Sequence, residues 1–402
     1  MQRVRVLARE CLLCRVNHLT VSTNGVLFAG HPADSPLIRR VRGSQRLYFW
    51  ATMNTTPGCH RKFVTSLFAL PLLAARLFAQ QPPAQPDQTP RAGVEERQIT
   101  FRTDGLVAPG TLTLPASPHP GLPLLVMIGG SGVHNHNSTI GPHKILQQLA
   151  RGLAQRGIAT LYFDRRPIFN LASFNANPDL DHEVVIDAAS ALAYAATVPE
   201  VDSHKIYLLG HSLGGELAPY IVAMRLAQQP ASVHGMVLMS GVARPFDVTT
   251  LEQARVIKAA QGATPAQVDQ VIASWTAVFD AARDPQTPAS DPLGVGTIKA
   301  PAQYWRDWLS RNPVPGLQSL GLPALVLGGT NDLNPSHQDF EMLRQAATAS
   351  GSASLELPGL NHEYIAAPGD GSTTFVAAQV APAVLDTIAQ WVTTGHIDSK
   401  LR

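Results

Sequence analysis

Apolar positions change their period repeatedly between residues 94 and 402. Arg97 to Thr103 alternates apolar and polar, and so does Gly110 to Pro115, with Asp104-Gly105 between them. Alternation around a turn dipeptide predicts an antiparallel pair of strands. A second kind of segment is apolar throughout: Leu122–Ile128, Ala159–Phe163, Ile206–Leu209, Val233–Ser240, Ala324–Gly328 and the short Ser354–Leu357. Continuous apolar runs of this length are strands covered on both faces. Helical spacing fills the intervals, at Lys144–Arg156 with Gly157 as its stop, at His182–Ala196, at Glu216–Gln228 and at Val376–Thr394. Strands alternating with helices predict an α/β fold, a mainly parallel sheet with helices on both faces and the antiparallel pair at its edge.

The alternation breaks once, between Ser240 and Pro323. Helical patterns near Thr250–Gln261, Pro265–Arg283 and Ala302–Ser310 surround a loop rich in Pro and Gly. This predicts a helical cap inserted after a strand, at about residues 242–322. Its rings, Trp275, Phe279, Tyr304, Trp305 and Trp308, either line a pocket for an apolar substrate arm or fasten the cap to the sheet.

The first 93 residues follow none of these periods. Arginine is frequent in residues 1–52 and acids are scarce there, at Glu10 and Asp34. The three cysteines are Cys11, Cys14 and Cys59. Cys11-Leu12-Leu13-Cys14 lacks a second pair of ligands and a βαβ context, so neither metal nor redox chemistry is expected of it. From Met53 a basic region (His60-Arg61-Lys62) leads to an apolar run at Phe63–Leu73 and a small residue, Ala79. That order is the pattern of a secretory signal peptide, here at 53–79. It implies translation from Met53, residues 1–52 as a non-structural upstream extension, and a secreted or periplasmic protein without a stable membrane partner after cleavage. A retained hydrophobic anchor is the alternative reading. Residues 80–93 are rich in Pro and Gln and read as a disordered linker, so the folded domain is expected at 94–402. With 45% apolar residues the chain can build a large core, and a formal charge of +2 offers no reason to expect a nucleic-acid partner.

The candidate chemistry lies where strands end. Lys205-Ile206-Tyr207-Leu208-Leu209 runs into Gly210-His211-Ser212-Leu213-Gly214-Gly215, and a helix follows. Strand, Gly-x-Ser-x-Gly and helix together put a serine hydroxyl on a tight turn at the carboxyl edge of the sheet, with glycines where side chains would collide. The alternative is a glycine-rich turn with an incidental serine. A serine nucleophile needs a base, and a histidine base needs an anion to hold its tautomer. Asp332 follows the strand Ala324–Gly328, and His362 follows Ser354–Leu357. The order Ser212, Asp332, His362 is the α/β-hydrolase order. His337 and His234 are rival bases, Asp339 and Glu363 rival acids, and His211 reads as packing within the turn. An acyl oxyanion needs preorganised N–H donors: one from Leu213, the other from the glycine-rich loop Gly129-Gly130-Ser131-Gly132, at Ser131 first and Gly130 second. His134 and His136, with His143 nearby, have no carboxylate to complete a metal site. They are placed at the pocket rim with Trp305, touching substrate or the loop's own backbone.

Gly129–Gly132, Thr139-Ile140-Gly141-Pro142, Thr160–Arg166, Ile206–Gly215, Tyr304-Trp305 and Leu325–Asp332 together resemble the α/β-hydrolase superfamily, and within it the bacterial EstD-type carboxylesterases and the related serine-peptidase branch. The resemblance runs from about Arg97 to the end. It implies a triad of Ser212, Asp332 and His362 acting on small-molecule esters without a cofactor. The loops Val133–Asn137 and Pro167–Asn170 depart from the family pattern, which leaves substrate preference open. Serine peptidase or acyltransferase activity through the same triad, and a non-catalytic binding protein on the same fold, are the alternatives.

Overall fold

The computed structural model describes residues 93–398 apart from 133, 141, 231 and 368–377, together with 20–21 and 27–28. The chain divides into two units, Met1–Thr65 and Ser66–Arg402. In the first, Thr20–Val21 pairs antiparallel with Leu27–Phe28. The signal segment at 53–79 and all but the last residue of the linker at 80–93 lie outside the described residues.

Eight strands form the central sheet of the second unit: β1 (Val94–Thr103), β2 (Leu106–Pro115), β3 (Leu122–Ile128), β4 (Ala159–Phe163), β5 (Val201–His211), β6 (Gly235–Met239), β7 (Ala324–Gly329) and β8 (Ala353–Leu357). Their spatial order is β8-β7-β6-β5-β3-β4-β2-β1. β1 pairs antiparallel with β2, and β2 antiparallel with β4. From β4 to β8 every pairing is parallel. The β1–β2 turn is Asp104-Gly105, both at positive φ (48° and 74°), as a two-residue hairpin turn demands.

The continuous apolar strands have a simple cause: the sheet is covered twice. Leu124, Val126, Ile128, Leu208 and Leu238 pack into one core with α4 (Ile186–Ala195) and α5 (Leu213–Gln228). Leu125, Met127, Leu209, Val237 and Leu327 pack into the other, against α1 (Ile145–Ala154) and α11 (Pro382–Thr394). Successive strand residues point to opposite faces, so a strand facing two cores has no polar side.

Two short helices, α2 (Arg166–Phe169) and α3 (Leu171–Ala176), follow β4. The helix expected from His182 begins instead with a π-helical turn, Asp181–Val185, that leads into α4. The cap holds α6 (Phe246–Ala260), α7 (Pro265–Arg283), α8 (Ala302–Ser310) and α9 (Pro313–Leu320). The stretch between α7 and α8, read as a loop from its Pro and Gly, contains an antiparallel hairpin, Pro292–Val295 with Ile298–Pro301. Helix α10 (His337–Ala346) follows β7. Helix α11 begins at Pro382, later than the periodicity placed it, because proline presets the first helical turn and offers no N–H to extend it backwards. No helix among the described residues is long and apolar enough to cross a membrane.

Candidate active site

Ser212 sits between β5 and α5 with φ 55° and ψ −117°, a conformation L-residues avoid. The surroundings hold it there. Its N–H donates to the Met239 carbonyl at 2.9 Å, and its own carbonyl accepts from the Glu216 N–H at 3.0 Å. A Cβ at position 210 would lie 2.0 Å from the Gly214 carbonyl oxygen, and one at 214 would lie 2.5 Å from that of Ile128. The two glycines of the motif are therefore there for space: the turn folds back on itself and against the end of β3.

The loops after β7 and β8 bring Asp332 and His362 together. His362 Nδ1 lies 2.9 Å from Asp332 Oδ2, and both side chains are buried. Asp332 also accepts from the Asn334 N–H at 2.8 Å. His362 Nε2 is buried and makes no hydrogen bond. Burial opposes charge on this ring, but the charge and hydrogen bond of Asp332, helped by Glu363, outweigh it and raise its pKa. Behind it, His211 Nε2 meets the His362 carbonyl oxygen at 2.8 Å, with the two rings 4.7 Å apart. That contact makes His211 Nε2 the protonated nitrogen, since a carbonyl only accepts. Burial first, then His362, push the His211 pKa down to about 3, so it stays neutral and steadies the His362 backbone.

Ser212, His362, Leu213 and Ser131 open into one cleft of about 600 Å³ including its mouth. The cap supplies the opposite wall with Phe246, Trp275 and Trp308, and Glu216 stands in the floor. A smaller cleft between β7 and α10 reaches Asp332 from behind but includes neither Ser212 nor His362.

The rivals are accounted for elsewhere. His337 is exposed and bonds Glu356 at 3.0 Å. His234 precedes β6, at the amino edge of the parallel strands, with its ring against Tyr207. Asp339 caps α10 through Ser336 and pairs with Arg244 at 2.8 Å. Glu363 is buried, and neither of its oxygens makes a hydrogen bond.

Of the three residues placed at the pocket, His136 and Trp305 lie elsewhere, and His134 meets the loop's own backbone rather than the cleft. His136 is tied to Asp164, Nδ1 to Oδ1 at 2.9 Å, and to Thr111 Oγ1 at 3.2 Å, behind the loop rather than in the cleft. A carboxylate at the end of β4 claims this ring, and that partner is far away in sequence. The buried ring of His134 lies beside the backbone of Gly130 and Ser131 without hydrogen-bond geometry. Burial and the Arg165 guanidinium push its pKa down to about 3, so it is a neutral filler under the oxyanion loop. Trp305 is fully buried behind the wall, with Nε1 donating to the Leu293 carbonyl at 3.1 Å. Trp308, three residues on and so on the same side of α8, faces the cleft in its place. Among the described residues no group of His, Cys, Asp or Glu is arranged to hold a metal ion.

Two features escaped the sequence reading. One is Glu216 in the cleft, hidden because a polar residue in the first turn of a helix reads as ordinary. The other is a buried chain from the glycine-rich loop after β3 to the cap. Arg165 donates through Nη2 to the Gly132 carbonyl and meets Glu183 Oε1 at 3.0 Å. Glu183 Oε2 accepts from Tyr304 Oη at 2.7 Å. The π-helical turn that carries Glu183, the Arg after β4 and the Tyr of α8 are thus one assembly.

The alpha/beta hydrolase family matches residues 125–378. Esterase EstD of Thermotoga maritima is 28% identical over 312 residues, 76% of this chain and 69% of that protein. Among solved structures, Est1E from Butyrivibrio proteoclasticus is 16% identical with a TM-score of 0.48, covering 74% of this chain and 99% of that one. A hyperthermophilic esterase from the archaeon Pyrobaculum calidifontis is 18% identical with a TM-score of 0.49, covering 76% and 85%.

Proposed function

Because the chain belongs to the alpha/beta hydrolase family, we propose that it is a carboxylesterase-like hydrolase that cleaves esters through Ser212, His362 and Asp332. One observation carries the reading: His362 has its Nδ1 on Asp332 at 2.9 Å and its Nε2 buried and unbonded, in the cleft that also holds Ser212. A histidine held this way keeps a free lone pair, and it lines the same cleft as a strained serine, which suits it to act as that serine's general base. The likeness to Esterase EstD points the same way.

In this reading Ser212 Oγ attacks the ester carbonyl carbon as its proton passes to His362 Nε2. Asp332 stabilises the imidazolium. The carbonyl oxygen becomes an oxyanion, and the N–H of Leu213 at the start of α5 receives it, with a second donor from Ser131 or Gly130. Collapse of the tetrahedral intermediate breaks the bond to the alcohol oxygen, which takes the proton from His362. Water, deprotonated by the same nitrogen, then attacks the acyl-enzyme and releases the acid. No cofactor enters any step.

The test is hydrolysis of p-nitrophenyl esters from acetate to decanoate by the protein and its Ser212→Ala variant. The variant is expected to lose on the order of 10⁶ in kcat. Turnover that survives the substitution excludes Ser212 as nucleophile. A folded wild-type protein inert on every ester removes the esterase reading, and amide substrates then become the comparison.

A further inference from the structure

Among the described residues, buried carboxylates come with basic partners, with two exceptions. Asp187 has Arg166 at 2.7 Å, Glu183 has Arg165 at 3.0 Å and Asp339 has Arg244 at 2.8 Å. Asp164 and Asp332 each hold a histidine at 2.9 Å. The exceptions are Glu363, which does not line the cleft, and Glu216, which does. Glu216 is 3% exposed, and its oxygens accept one neutral donor, the indole N–H of Trp308, at 3.0 and 3.2 Å. Arg311 acts on it through its field without bonding it, its Nη2 being held by Asp307 at 2.7 Å and Asp181 at 3.1 Å. Asp339 and Asp307 act in the opposite sense.

A carboxylate taken out of water is costly unless a cation meets it. Among the described residues no cation meets Glu216, so burial keeps it protonated at neutral pH until one arrives, and the group lines the cleft that would take the substrate. Its amide N–H bonds the Ser212 carbonyl, which puts it four residues beyond the nucleophile, about 6 Å along the axis. The same cleft is lined by the apolar Leu213, Val242, Phe246 and Trp275 and by the neutral Thr249, Thr250, Gln253 and Asn334, so among the described residues Glu216 is the one acidic group in its lining. A single acidic group in such a wall selects by charge once it ionises.

We propose that Glu216 is a recognition site for a protonated amine on the substrate, so that the ester opened at Ser212 carries an alkylammonium group within a few bonds of its scissile carbonyl. The proposal rests on the esterase reading and narrows it to amino-substituted esters. The indole N–H of Trp308 holds the carboxyl in place and leaves the remaining lone pairs of both oxygens for the ammonium.

The experiment compares esters that differ only by an ammonium in place of a methyl group, at pH 6 and at pH 8.5, either side of the value of about 8 to which burial raises the Glu216 pKa. The amine preference is expected to grow with pH as the carboxyl ionises and is read at the higher pH. On the acyl side these are p-nitrophenyl β-alaninate and p-nitrophenyl butyrate, and on the alcohol side 2-aminoethyl butyrate and propyl butyrate. The wild-type protein is expected to favour the amine in one of the pairs by roughly tenfold or more in kcat/KM, the scale of a charge-assisted hydrogen bond in a desolvated site. Glu216→Gln should collapse that ratio. The amide still offers an oxygen to Trp308, so the variant keeps the contact to the cap and loses the charge. Trp308→Phe, which removes the indole N–H and keeps the carboxyl, should retain the preference. The proposal is overturned if neither pair shows a preference, if Glu216→Gln changes both members of each pair alike, or if Trp308→Phe abolishes the ratio as fully as Glu216→Gln. In the last case the carboxyl is a fastener for the cap.

Ser212-dependent turnover of the alkyl esters with no amine preference removes this inference and leaves the esterase reading standing. If no ester is turned over, equilibrium binding of propyl β-alaninate and propyl butyrate to the wild-type protein and Glu216→Gln decides: a preference lost in the variant supports the amine site, and equal binding overturns it.

Discussion

At the scale of residues, the proposed mechanism rests on side chains whose pKa values burial and neighbouring charges push away from their ordinary values. His362 must be neutral to take a proton, and Asp332 raises its pKa against the effect of burial. Activity therefore falls as pH falls through that raised value. The kcat/KM of an alkyl ester should lose half its maximum at a pH above the ordinary histidine value of 6.5. Asp332→Asn should move that midpoint downward and cut kcat by about 10⁴-fold, as loss of the orienting acid does in such triads; a pH–rate profile of both proteins checks it. Glu216 gives a second pH signature. Burial, the largest cause, pushes its pKa up to about 8 from 4.5. The folded state then binds this proton more tightly than the unfolded state. The stabilising contribution is complete below pH 4.5 and is lost as pH rises through about 8. Glu216→Gln cannot ionise, so its Tm should gain on the wild type by several degrees between pH 5 and pH 9, read by thermal melts across that range.

At the scale of elements, the nucleophile turn is a joint between β5, α5 and the end of β3. Position 214 has no room for a methyl group beside the Ile128 carbonyl. Gly214→Ala should cost roughly 2–4 kcal/mol, read by denaturant unfolding, with loss of activity in whatever folds. Strands and helices with regular periods stand close to where the pattern of apolar residues puts them, because their pattern is a record of which faces are covered. The departures are local. The turn at Asp181–Val185 takes π-helical form, and its Glu183 bonds Arg165 and Tyr304, partners outside any short window of sequence. The hairpin at Pro292–Pro301 was read as loop because Pro and Gly also mark loops; its backbone pairs across Gly294, whose φ of 155° other residues seldom adopt.

At the scale of the whole molecule, the glycine-rich loop after β3, proposed to hold the oxyanion, and the cap are linked by Gly132, Arg165, Glu183 and Tyr304. A guanidinium can serve a carbonyl and a carboxylate at once because its donors form a planar fork, which an ammonium cannot reproduce. Arg165→Lys should therefore let the loop shift and lower kcat by roughly 10–100-fold with a smaller change in KM, measured by steady-state kinetics beside a thermal melt that monitors folding.

The sequence by itself determined the alternation of strands and helices, the position of the cap, and the three residues that emerge at strand ends in the order Ser212, Asp332, His362. These are legible because period and order are local properties of a chain, and a parallel sheet delivers every strand end to one edge. Only the tertiary structure decided which groups those residues meet there. His136 goes to Asp164 and Trp308 displaces Trp305 from the cleft, while Glu216 lines the cleft with the Trp308 indole as its hydrogen-bond donor, because each outcome depends on partners brought close by packing from distant parts of the sequence.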